Sequence, residues 1–194
     1  MNKVFVICLI GLLSLSSSMA FAISASKVPV KKRTSLGLYL TPKEAYHMVE
    51  SNKKGTLFID VRTRAEVDFL GMPTVADANI PYMVMDSMYG WNAKKGTFKL
   101  VPNSAFLSLV GDRVKAKGLN KNSTIIVMCR SGDRSAAAAN LLAKDGYTKV
   151  YSIYTGYEGN MSKNGRRSVD GWRNSGLPWT YKLSKANMTL DMDD

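Results

Sequence analysis

The sequence predicts an α/β domain, an open and mostly parallel sheet with helices on both faces. Short continuous apolar runs at 56–61 (TLFIDV) and Thr124–Met128 have the profile of strands buried on both sides, and Val150–Ile153 reads as a further strand. Capped, amphipathic helical patterns fall between them, and strands alternating with helices of this length imply a parallel sheet covered by helices. The length of 194 residues supports one domain with a sizeable core and is short for two.

Taken in order, residues 1–22 (MNKVFVICLIGLLSLSSSMAFA) carry a positive start at Lys3, an uncharged apolar stretch from Val4 to Leu15 and a small-x-small end at Ala20-Phe21-Ala22. This is the pattern of a secretory signal peptide cleaved after Ala22. Its apolar stretch is shorter than the roughly 20 residues a membrane span requires, and no stable span is expected elsewhere. Residues 23–40 read as a linker holding the Lys31-Lys32-Arg33 cluster. Thr41-Pro42-Lys43-Glu44 is a capping box with proline at the first helical position, and Ala45, Met48 and Val49 give the helix after it an apolar stripe. His47, the sole histidine, falls off that stripe and reads as a surface residue. A second amphipathic helix is expected over 102–117, with Phe106, Leu109, Val110 and Val114 inward and Gly118 as its stop. A third, over 135–145, ends at Gly146, and alanines 136 to 139 let it lie close to the sheet. Residues 41–181 form the predicted domain, and 182–194 read as a mobile tail.

Charge and cysteine usage narrow the function. The formal net charge is +12, from 27 Lys and Arg against 15 Asp and Glu, which suits anionic small molecules or an acidic partner. No basic helix or aromatic-interleaved stripe points to nucleic acid. Of the two cysteines, Cys8 lies in the signal region, so Cys129 stands alone in the exported chain and no internal disulfide is expected. An unpaired thiol in an oxidising compartment is a liability unless it has a use.

The surroundings of Cys129 suggest that use. Sites in open parallel sheets form beyond the carboxyl ends of the strands, where loops enter helix N-termini. Asp60 and Cys129 each end a buried run, so parallel strands would put both on one rim, with Arg62 and Arg64 after the first and Arg130 and Arg134 after the second. The loop Cys129-Arg130-Ser131-Gly132-Asp133-Arg134 joins strand directly to helix. Its backbone N–H groups can converge on the sulfur, with Gly132 permitting the curvature. The helix dipole and two guanidinium groups favour the same negative charge. An ordinary cysteine is only about 3% thiolate at pH 7, and the thiolate is the nucleophile. Thiol-based phosphatases and low-molecular-weight arsenate reductases place five residues between cysteine and arginine to surround a tetrahedral oxyanion. Here four separate Cys129 from Arg134, and a smaller loop fits a sulfur atom better than a phosphate.

On these residues the chain resembles the rhodaneses, the single-domain sulfurtransferases. The resemblance covers most of 40–180. It includes Phe58-Ile59-Asp60-Val61-Arg62 with Glu66, Ala78-Asn79-Ile80-Pro81, the cysteine loop through Ser135, Gly146-Tyr147 before Val150-Tyr151, and Gly171-Trp172 with Gly176-Leu177-Pro178. It implies a parallel sheet of about five strands between helices, no metal, no cofactor, and a persulfide on Cys129. The implied reaction is ping-pong transfer of a sulfane sulfur from a small anionic donor such as thiosulfate to a thiol, cyanide or protein acceptor, and the signal pattern at 1–22 adds a periplasmic or secreted setting. Arg130 is expected to bind the departing sulfonate. Arg134 is a second choice for that role or a structural partner of Glu66 or Asp60. Ser131 is a donor to the persulfide, Gly132, Asp133 and Ser135 complete the loop, and Asp60 and Arg62 brace the rim. A sulfur-carrier or protein-binding module stands as the alternative, with a thiol-based phosphatase or arsenate reductase behind it. Two features depart from the family pattern. Residues 71–77 are long and lack histidine, and 157–171 carry an insertion. The stretch 83–100 is also long and aromatic for a connection, and long loops on a compact domain are often functional.

Overall fold

In the computed structural model, which describes residues 23–190, five parallel strands form the central sheet. In chain order the elements begin with β1 (Tyr39–Leu40), α1 (Pro42–Ser51), β2 (Thr56–Asp60), α2 (Arg64–Leu70), β3 (Met72–Pro73) and β4 (Ala78–Asn79). A long insertion follows, with β5 (Met83–Met85), β6 (Trp91–Asn92), β7 (Thr97–Phe98) and β8 (Leu100–Pro102). The chain then continues through α3 (Phe106–Ala116), β9 (Thr124–Met128), α4 (Asp133–Lys144), β10 (Val150–Ile153) and β11 (Trp179–Thr180). The sheet order is β1-β10-β9-β2-β4, with every pairing parallel.

The two central strands explain why their sequences are apolar without alternation. Successive side chains of a strand point to opposite faces, and here both faces are covered. Leu57, Ile59, Ile125 and Val127 pack with Phe106 and Val110 of α3 and with Ala138 and Leu142 of α4. Phe58, Ile126 and Met128 pack on the other side with Ala45 and Val49 of α1 and with Trp172. Ala136, Ala138 and Ala139 of α4 are buried, the latter two in the core beneath the helix. His47 is exposed, off the buried stripe of α1.

Several boundaries differ from expectation. Pro102, expected to open a helix over 102–117, instead ends β8, which pairs with β5, and α3 begins at Phe106. Residues 23–40, expected as a linker, are packed. Leu40 and Tyr39 pair with β10 at the sheet edge, Val28 is buried, and the Ser35 amide donates to Asn140 Oδ1 on α4 at 2.7 Å. The tail expected to be mobile is also held through its described part. Met188 bridges to Asn79 beside β4, Thr189 Oγ1 donates to the Asn79 carbonyl at 2.8 Å, and Arg64 donates to the Thr189 carbonyl at 2.6 Å. In both cases sparse apolar residues anchor a polar segment through backbone bonds, which composition alone does not reveal. The signal peptide expected at 1–22 and the last residues of the tail, 191–194, lie outside the described residues.

Insertion 83–102 is a single hairpin arm. Its limbs pair antiparallel from Met83 opposite Pro102 to Asn92 opposite Thr97. The Lys99 amide donates to the Gly90 carbonyl and the Asp86 amide to the Lys99 carbonyl, bonding the limbs between the two ladders. Trp91 and Tyr89 both meet the Phe98 ring edge-on, at 5.5 and 6.3 Å between centroids.

Candidate active site

Parallel strands bring Asp60 and Cys129 to one rim. Asp60 ends β2 and pairs in register with Met128, the last residue of β9, and Cys129 follows directly. The thiol is 1% exposed and lies at the floor of a cleft of about 860 Å³. Arg130, Ser131, Asp133 and Arg134 also line that cleft, and the hairpin arm forms its opposite wall.

The loop folds tightly for reasons that can be read residue by residue. The Gly132 amide donates to Cys129 Sγ at 3.1 Å, and among the loop amides it is the one in contact with the sulfur. Gly132 caps α4 at φ +102°, and a Cβ there would lie 2.0 Å from the Tyr154 carbonyl oxygen. No L side chain fits that position. Behind the loop, the Tyr157 amide donates to the Cys129 carbonyl at 2.8 Å and the Glu158 amide to the Arg130 carbonyl at 3.0 Å. The loop carbonyls are thereby occupied on the side away from the cleft. Gly156, at φ +69°, allows this close approach, since a Cβ on it would come within 2.6 Å of the Cys129 carbonyl oxygen.

Ser135 is the hydroxyl at the sulfur. The Cys129 thiol donates to Ser135 Oγ at 3.6 Å, Ser135 donates to the Gly132 carbonyl at 3.0 Å, and buried Ser152 lies 3.1 Å from Ser135 Oγ. Loss of the thiol proton leaves the Ser135 hydroxyl able to turn its own proton to the sulfur while Ser152 donates to its oxygen. Ser131, expected to donate to the persulfide, lines the same cleft as Cys129. Asp133 points out to Lys31, at 3.6 Å.

The arginines divide sharply in role. Both terminal nitrogens of Arg134 bond the Glu66 carboxylate, at 2.7 and 2.6 Å. Burial alone would raise the Glu66 carboxyl, but the Arg134 bonds and those from Thr63 outweigh it and hold the group below its ordinary range. Arg134 is raised in turn, with Glu66 overcoming the burial that opposes its charge. Glu66 also accepts from the Thr63 amide, so one carboxylate caps α2 and anchors the start of α4. Arg130 is bound through one nitrogen only. Its Nε donates to Glu158 at 2.5 Å while its side chain stays 44% exposed at the cleft mouth.

Asp60 and Arg62 are wholly buried behind the rim. Arg62 Nε and Nη2 bond the Asp60 carboxylate at 3.0 to 2.6 Å, Nη2 also reaches the Gly71 carbonyl, and the guanidinium stacks 3.8 Å over the Tyr157 ring. Burial works against the Arg62 charge, yet Asp60 outweighs it and raises the group. Burial likewise pushes the Tyr157 phenol up. This pair supports the 156–159 turn and, through it, the cysteine loop.

Two contributors escape sequence reasoning. Glu158, in the insertion after Gly156, orients Arg130. Lys32, from the segment expected to be a linker, is 3% exposed, lies against Gly132 and donates to Asn160 Oδ1 at 3.2 Å. Burial lowers its pKa, with Asp133 opposing. Neither belongs to a local motif. Their place depends on which loops meet over the rim. Among the described residues no group of three or more His, Cys, Asp or Glu could hold a metal ion.

Known proteins resemble this chain in sequence, and a solved structure resembles it in fold. The sequence matches the rhodanese-like domain family over residues 41–163. An uncharacterized protein of Rickettsia conorii is 33% identical over 138 residues, covering 71% of this chain and 93% of its own length. Thiosulfate sulfurtransferase 18 of Arabidopsis thaliana is 33% identical over 105 residues, covering 54% of this chain and 66% of its own. The crystal structure of Rv0390 from M. tuberculosis superposes with a TM-score of 0.58 at 30% identity, covering 74% of this chain and 97% of that one. With the five-stranded parallel sheet and the cysteine loop at its rim, these similarities show that the chain belongs to the rhodanese family.

Proposed function

We propose that the chain is an exported sulfurtransferase that carries a sulfane sulfur as a persulfide on Cys129. The observation that supports this most directly is the six-residue loop from Cys129 to Arg134. Its Gly132 amide meets the sulfur and its Arg134 is bonded to Glu66, so the enclosed space suits one sulfur atom. The same bond removes the arginine that an oxyanion-binding phosphatase loop would need. The Cys129 thiolate attacks the outer sulfur of thiosulfate, a sulfur–sulfur bond forms on Cys129, and the thiosulfate S–S bond breaks with its electron pair leaving on sulfite. An acceptor thiolate or cyanide then takes the terminal sulfur, and the electron pair of the broken bond returns to Cys129. Arg130 lines the cleft, is bonded to Glu158 through Nε, and serves the sulfonate with its terminal nitrogens. Asp60 and Arg62 act at a distance, by holding the turn on which the loop rests.

Export rests on the 1–22 segment and on the lone thiol, and it places the reaction in the periplasm or outside the cell. The test of the chemistry is the intact mass of the protein after incubation with thiosulfate. A gain of one sulfur atom on the wild type, absent from Cys129→Ser, is expected. No adduct with any sulfane donor would sink the proposal and leave a protein-binding module as the better reading. Processing is checked by the N-terminus of the protein recovered from an expressing bacterium, which should be Ile23.

A further inference from the structure

We propose that the hairpin arm 83–102 is the docking surface for a protein sulfur acceptor, which presents a cysteine on an extended segment bearing acidic and apolar side chains. The acceptor role rests on the sulfurtransferase reading; the docking does not. Three features of the cleft carry the inference.

Size comes first. Thiosulfate has five heavy atoms, and a cleft of about 860 Å³ leaves most of its volume unfilled by such a donor. The walls also do not suit a small anion, because Phe69, Met83, Met85, Phe98 and Val101 line them.

Continuity comes second. The apolar surface runs past the cleft along the arm, where Phe98, a cleft residue 51% exposed, meets the Trp91 ring, 54% exposed, and Met88, in the same arm, is 84% exposed. Contiguous exposed apolar surface of this kind, rich in aromatic residues and methionine, is characteristic of polypeptide recognition. A small thiol in the cleft could not cover it. The arm also rises beside a thiol that is 1% exposed, so an acceptor sulfur must be lowered to Cys129 from a chain able to enter. An extended cysteine-bearing segment does this, and a flat folded surface does not.

Charge comes third. Within the cleft Arg134 is paired with Glu66, Arg130 through its Nε with Glu158, and Asp133 with Lys31. Lys95 and Lys99, on the arm itself, also line the cleft, and neither ammonium has an ion-pair partner among the described residues. Two uncompensated cations in an apolar wall select carboxylates on the visitor. In the transfer the acceptor thiol gives its proton to solvent, its thiolate attacks the outer sulfur of the Cys129 persulfide, and the electron pair of the breaking bond returns to Cys129. The acceptor leaves as a persulfide, with no outside oxidant or reductant.

The test uses the full exported chain and synthetic peptides. One has a single cysteine flanked by Asp, Glu, Leu and Phe; a second replaces the acids with Lys, and a third replaces Leu and Phe with Ser. Anisotropy of the labelled peptides with Cys129→Ser measures docking apart from sulfur chemistry. The first peptide should bind at least about tenfold more tightly than either of the others, and Lys95→Glu with Lys99→Glu should reverse the preference for acid over lysine. Trp91→Ala should weaken the first peptide similarly, and circular dichroism shows whether the arm variants remain folded. Equal binding of the three peptides, or indifference to the lysine changes, overturns the proposal. A concentration-dependent dimer abolished by Trp91→Ala would give the arm to a second copy and also overturns it. If the acidic peptide binds as expected while thiosulfate leaves no persulfide on the wild type, the docking stands and the sulfurtransferase reading falls.

Discussion

At the residue scale, two arginines of similar sequence context end in different chemistry, and this sets two predictions. Arg134 is bonded at both ends by Glu66, and the folded state holds that carboxyl below its ordinary value despite burial. A carboxylate depressed on folding contributes stability above its unfolded pKa of about 4.3, and the contribution is lost as pH falls through the folded value. Glu66→Gln should therefore cost about 2 kcal/mol at pH 7, since it leaves Arg134 half-buried without its charge partner. The gap between wild type and variant in urea titrations should narrow below about pH 4; a gap independent of pH would mean that the pair contributes no charge-dependent stability. Arg130, in contrast, is held by one nitrogen and faces the cleft. Arg130→Ala should raise KM for thiosulfate about tenfold, the worth of one charge-assisted contact, and leave KM for an uncharged sulfane donor nearly unchanged. Equal effects on both donors would assign it to shaping the loop. The sequence ranks Arg130 first for the sulfonate but leaves Arg134 between that role and pairing with Glu66 or Asp60, because the deciding partners, Glu66 and Glu158, lie on other elements.

At the scale of elements, the parts legible in the sequence are those whose signals are local. The buried strands β2 and β9 are read directly from unbroken apolar runs, and α1 from its capping box. Helix α4 is read from its alanines and the glycine after it. The arm 83–102 is misread as a connection running into a helix because its pairing is cross-strand, its turns are short and its apolar residues face outward. Packing behind the cysteine loop is equally hidden, since it rests on Gly156, a residue distant in sequence. That makes Gly156 a sharp test of how the element is built. A Cβ there must displace the loop backbone at Cys129 and Arg130 and also adopt a left-handed conformation. Gly156→Ala should cost about 3 kcal/mol and slow persulfide formation more than tenfold, while Gly165→Ala, which meets nothing within 4 Å, should cost only the about 1 kcal/mol of its positive φ. Chemical denaturation and single-turnover loading with thiosulfate check the two parts separately. Similar losses for the two glycines would show that the turn and the loop are not in rigid contact.

At the scale of the whole molecule, both ends of the described chain close the sheet. The N-terminal segment adds β1 beside β10 and seats Lys32 against the cysteine loop, so its composition disguises a structural part. The C-terminal segment does the same at the opposite edge, where β4 has two residues and one sheet neighbour. An open strand edge presents unpaired backbone groups to other chains. Here Met188 bridges to Asn79, Thr189 Oγ1 satisfies the Asn79 carbonyl, Asn187 donates to the Ala76 carbonyl, and Arg113 reaches the carbonyls of Ala186 and Met188. Removing residues 184–194 should therefore lower stability by about 3 kcal/mol, from several net hydrogen bonds of about 1 kcal/mol each offset by the chain entropy released. That corresponds to a Tm about 6 to 12 °C lower for a domain of this size. Persulfide formation should survive, because the truncated edge lies across β2 and β4 from Cys129, whereas the exposed β4 edge should make the protein associate at high concentration. Thermal denaturation and sedimentation distinguish the possibilities. An unchanged Tm would mean that the terminal contacts only accompany the fold, and a truncated protein that is stable but cannot be loaded with sulfur would tie the far edge of the sheet to the loop.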